Sequence, residues 1–95
     1  MKHFGNKTQH KSEATIENAT LILEREQLHL SILVRDVANG GTAIYHTADI
    51  VNNVLHLMKL FKVTDISQVR SRKVIAYWSS PSGSPLLTGF EPAME

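Results

Sequence analysis

Apolar and polar positions alternate with a period of two from Ala14 to Glu24, where Ile16, Thr20 and Ile22 fall on one side and Ala19, Leu21 and Leu23 on the other. That period predicts a first strand over residues 14–24. The polar break Glu24-Arg25-Glu26-Gln27 follows, and then Leu28, Leu30, Ile32 and Val34 alternate with His29, Ser31, Leu33 and Arg35. A second strand, joined to the first as an antiparallel hairpin, accounts for this run. Asn-Gly and Asp-Gly are absent from the break, so the turn type is left open.

The period changes after the loop Asp36–Thr42, "DVANGGT". Ile50, Val51, Val54, Leu55, Leu57, Met58, Leu60 and Phe61 form a broad stripe at helical spacing, with Asn52, Asn53, His56, Lys59 and Lys62 off it. An amphipathic helix with one face on a sheet is expected, with Thr47 as N-cap and Asp49 in its first turn. "DISQV" then supplies one further turn capped by Asp65. "KVIAYW", Lys73–Trp78, reads as a third strand, "SSPSGSP" as a turn, and Leu86–Phe90 as a fourth strand. The predicted order is β-β-α-β-β, an α+β fold in which an antiparallel sheet carries one amphipathic helix on one face. Residues 1–13, "MKHFGNKTQHKSE", show no period and are expected to form a flexible tail, leaving 14–95 as one domain.

Composition narrows the function classes. The 95 residues contain no cysteine, which excludes disulfides, thiolate nucleophiles and cysteine-ligated metals and suits a reducing compartment. No apolar run is long enough to span a membrane, and residues 1–13 are too polar for a signal-peptide centre, so a cytoplasmic location in the host cell is expected. The net charge of +1 conceals an uneven distribution: −3 over residues 14–58 and +4 over residues 59–73. Lys59, Lys62, Arg70, Arg72 and Lys73 are therefore candidate partner-binding residues, through electrostatic steering of a protein or through phosphate contacts beside Tyr77 and Trp78.

The loop offers a second candidate. Asn39, Gly40 and Gly41 tolerate positive φ and suit a chain reversal, and with Tyr45 they are the candidate residues for a small ligand. There is no G-x-G-x-x-G and no Gly-Lys-Ser/Thr, so the turn role is the expected one. His29, His46 and His56 fall on a strand, a loop and a helix without metal-binding spacing, and the serines at 79, 80, 82 and 84 lack a nucleophile-elbow setting. No catalytic residue, metal site or cofactor is expected.

A pattern of larger elements carries a family resemblance. Ala14-Thr15-Ile16 and Ala19-Thr20-Leu21 in the hairpin, Gly40, Gly41 and Tyr45 before the helix, and Val63, Ile66 and Val69 after it make residues 14–92 resemble small uncharacterised bacteriophage- and prophage-encoded proteins. The resemblance implies a non-enzymatic interaction protein of mobile-element type, one that binds and inhibits a host protein such as a CRISPR-type defence component. It makes a host or phage protein the expected partner; homodimerisation is a further option, the basic segment at 70–73 leaves nucleic acid as an alternative, and the lack of a long apolar run speaks against a membrane.

Overall fold

The computed structural model describes residues 3–79 and 86–93. Among these residues six strands form one antiparallel sheet: β1 (Phe4–Gly5), β2 (His10–Glu24), β3 (Gln27–Asp36), β4 (Thr42–Thr47), β5 (Lys73–Ser79) and β6 (Leu86–Pro92), in the spatial order β1-β6-β5-β2-β3-β4. One helix, α1 (Ile50–Phe61), packs on one face. The expected α+β architecture is present, with two strands more than the sequence pattern indicated. Ser79, the first residue of the expected turn, ends β5, and the rest of that turn, 80–85, lies outside the described residues.

The core occupies the sheet face that α1 covers. Ala14, Ile16, Leu30, Ile32, Val34, Val74 and Ala76 point into it from the strands, and Leu57 and Phe61 from the helix. Leu57 and Phe61 are the buried residues of the helix, flanked by the partly buried Ile50, Val54 and Leu60, whereas Val51 and Leu55 face solvent. The helix starts two residues later than Thr47 would cap it: Asp49 is the N-cap residue, and Thr47 closes β4 with its Oγ1 accepting from Asp49 N at 3.3 Å. Lys62 ends the helix in the left-handed region at φ 57°. The next turn, Ile66–Val69, is capped as expected by Asp65, which accepts from Ser67 Oγ and Ser67 N while Gln68 reaches back to Asp65 N. Those Ser67 bonds, the side-chain one first, hold the Asp65 carboxyl below its ordinary range.

The hairpin register carries one irregularity. Ile16 pairs with Val34 and Asn18 with Leu33, so Glu17 is the extra residue of a β-bulge. The bulge turns Ala19 onto the same buried face as Ile16, three residues earlier, and disrupts strict alternation at that point. At the hairpin tip Arg25 and Glu26 have φ values of 51° and 63°. Two consecutive positive φ values in a two-residue connection identify a type I′ turn, built here from residues that resist it. Replacing Arg25-Glu26 with Asn-Gly is therefore expected to stabilise the protein by about 1–2 kcal/mol. A denaturation midpoint that stays put or falls would show that the tip adopts another conformation.

Residues 3–13 are not a flexible tail. Phe4 is fully buried, its ring stacked on Phe90 at 5.2 Å and edge-on to Tyr45 at 5.2 Å. Gly5 pairs with Gly89 at a backbone approach that a Cβ would close, since one at Gly89 would stand 2.5 Å from Phe4 O. Lys7 bonds to Glu91 at 3.6 Å, and β2 is already paired to β5 at His10↔Trp78. A lone aromatic at position 4 carries no periodic signal, yet it fills the core where the sheet curls. Because β1 and β4 stand at opposite ends of the strand order, the Phe4–Tyr45 contact measures that curl.

Candidate ligand cleft

The glycine loop makes a reversal, but into a strand and not into the helix. Asp36 N donates to Gly41 O at 2.8 Å, Gly40 N to Asp36 O at 2.9 Å, and Gly41 N to Asn39 Oδ1 at 2.7 Å, with Gly40 at φ 70°. Thr42–Thr47 then runs back along β3 from Arg35↔Thr42 to Leu30↔Thr47. Tyr45 is consequently remote from the loop: four residues along a strand is roughly 13 Å. Its ring packs against the Phe4 ring, so it is part of the core's rim and not of a ligand-binding loop.

Asn39 and Gly41 do border a cleft of about 400 Å³, together with Thr42, Asp36, His10, Ser12 and Trp78. The cleft is formed where β2, β3 and β5 meet beside the turn. Ala14↔Asp36, Ser12↔Ala76 and His10↔Trp78 set the register that brings these residues together. Val37 N donates to Glu13 O at 3.0 Å and anchors the turn onto β2. A volume of this size lies within the range of small-molecule sites.

Asp36 distinguishes the cleft. It is 9% exposed, and among the described residues its Oδ1 is buried without a hydrogen-bond donor. A buried acceptor left unpaired costs on the order of 1–3 kcal/mol, more when charged, so such a group is uncommon unless something satisfies it. Among the described residues no lysine or arginine lines the cleft. The neighbouring Arg35 is held elsewhere, with Nε on Glu17 and Nη1 on Gly40 O at 2.8 Å. The half-buried Trp78 adds an indole whose Nε1 donates to Ser12 Oγ at 2.8 Å.

Ser12, His10 and Asp36 share this cleft, yet none hydrogen-bonds to another among the described residues. A nucleophile–base–orienter chain requires those links, and here the Ser12 hydroxyl is engaged by Trp78. The arrangement is an acceptor beside an aromatic wall, suited to holding a cation.

The basic residues gather elsewhere. Lys59, Lys62, Arg70 and Lys73 are exposed around the C-terminal end of α1 and the turn after it, and the Arg72 guanidinium lies over the Phe61 ring at 5.5 Å. None of the five joins an ion pair among the described residues. Trp78 stands five residues from Lys73 along β5, roughly 17 Å away. Tyr77 is buried, its hydroxyl donating to Glu91. The rings and cations expected to act together are thus separated.

The three histidines are not equally dispersed. His56 lies against Phe4, with ring centroids 5.6 Å apart, whereas His29 and His46 are neighbours across β3 and β4 at 4.6 Å. Placing His46 in a loop concealed this adjacency. Comparisons with known protein families, curated proteins and solved structures found no match for the chain.

Proposed function

We propose that the protein is a non-enzymatic interaction module whose cleft receives a cationic side chain, lysine or arginine, of a protein partner. The observation that carries this reading is the buried Asp36 side chain, which among the described residues lacks a donor in a cleft bordered by Trp78 and without lysine or arginine. A guanidinium or ammonium supplies donors and opposite charge together, and the indole face adds cation–π attraction. The resemblance to small phage-encoded proteins makes a host protein the partner class to screen first. The described helix is too short to cross a membrane.

Trp78 is the only tryptophan beside two tyrosines, so fluorescence excited selectively at tryptophan reports on the cleft. Titration with Nα-acetyl-arginine amide should change the emission saturably. A Kd on the order of 1 mM follows from about 0.3 kcal/mol per heavy atom for a probe of about 15 heavy atoms. Acetate and phosphate should have no effect, and Asp36→Asn should abolish the response. A response to the anions, or an unchanged response in Asp36→Asn, overturns the reading. Ester hydrolysis lost in Ser12→Ala would replace it with an enzymatic one.

A further inference from the structure

We propose that Glu24, His29 and His46 form a site for a divalent transition metal, with zinc as the occupant best matched to the donors. The three residues lie on the sheet face opposite α1, one on each of three adjacent strands. Glu24 pairs with Gln27 and Ile22 with His29, so Glu24 is a diagonal neighbour of His29. Ser31 pairs with His46, which makes His46 a diagonal neighbour of His29 from the other side. Diagonal cross-strand neighbours are within reach of long side chains. The sheet therefore lays the carboxylate and the two imidazoles in one row, and each residue offers a ligand atom within 4.8 Å of the others.

Zinc with bonds of about 2.0–2.1 Å holds tetrahedral donors roughly 3.4 Å apart. From the present spacing of up to 4.8 Å the donor atoms have to approach by at most about 1.4 Å to reach that geometry. Two imidazoles and one carboxylate are the donor types that zinc accepts, and three protein ligands leave a fourth position for water or a partner's group. His29 supplies the independent sign of a missing ligand: its Nδ1 is buried and has no hydrogen-bond partner among the described residues. The His29 and His46 rings already meet edge-on.

The position gives the metal a structural consequence. Beyond the fully buried Leu30, the hairpin extends past the cover of α1, leaving Leu21, Leu23 and Leu28 at 50%, 70% and 47% exposure. A metal bridging Glu24, His29 and His46 would fasten this end of β2, β3 and β4 and fix the exposed leucines in one arrangement.

The test is titration of the untagged, chelator-stripped full chain with zinc chloride, followed by calorimetry, melting temperature and imidazole NMR. The proposal expects one equivalent to bind, the melting temperature to rise, and the His29 and His46 resonances to shift while that of His56 does not. His46→Asn and Glu24→Gln, both at exposed positions, should each weaken binding by about tenfold or more without altering the fold. A variant lacking the other histidines, His3→Asn/His10→Asn/His56→Asn, should bind as the parent does. Undiminished binding in His46→Asn with Glu24→Gln, loss of binding in the triple variant, or unmoved His29 and His46 resonances at millimolar zinc would each overturn the proposal.

Discussion

Phe4→Ala is expected to lower the unfolding free energy by about 3–5 kcal/mol, the usual cost of removing a buried phenylalanine. The ring is fully buried and contacts Phe90, Tyr45 and His56, which belong to β6, β4 and α1. It fastens the two ends of a curled sheet to the helix, and little nearby can collapse into the space it leaves. A domain of this size has roughly 5–15 kcal/mol in total, so the substitution removes a large part of it. Urea denaturation reads the loss directly. A midpoint like the parent's would restore the expectation that residues 1–13 hang free.

Leu57→Asp is expected to have an effect at least as large. Leu57 is fully buried at the centre of the helix–sheet contact, and an unpaired carboxylate there costs several kcal/mol. Leu55, two residues away on the same apolar stripe, is 53% exposed, and Leu55→Asp should change stability by less than about 1 kcal/mol. The pair tests the helix rotation as well as its existence. Equal effects at both positions would mean that the stripe, not the structure, describes which face is buried.

The hairpin and the helix were legible because their buried faces impose periods of two and about three and a half. What was hidden depended on pairing between distant segments. β1 has only two residues, too few to carry a period, and its evidence is Phe4 alone. β4 follows a visible glycine turn, but Thr42–Thr47 is short, and Thr47 at its end suits a helix cap as well as a strand. The start of β2 is the most instructive miss. His10 is exposed and Ser12 half-buried, and both line a cleft and not the core, so the apolar alternation that would reveal a strand is missing at that point.

The candidate site divides in the same way. Asn39 and Gly41 were recognisable as special backbone positions, and they do border the cleft. Asp36, Ser12, His10 and Trp78 are spread over almost 70 positions and converge only through the β2–β3 and β2–β5 registers. His29 and His46 likewise required the β3–β4 register. The concentration of basic residues between positions 59 and 73 is plain in the sequence. Their separation from Trp78 follows from the length of β5, which the sequence order alone does not express.

The indole resonance of Trp78 gives the most direct test of the cleft. With one tryptophan in the chain, the ¹H–¹⁵N spectrum contains a single indole cross-peak, from the Nε1–H that donates to Ser12. As Nα-acetyl-arginine amide is added, that peak should move saturably in the parent protein and stay fixed in Asp36→Asn. A peak that never moves, that moves equally in both proteins, or that answers to acetate would contradict the assignment of the cleft to a cationic side chain.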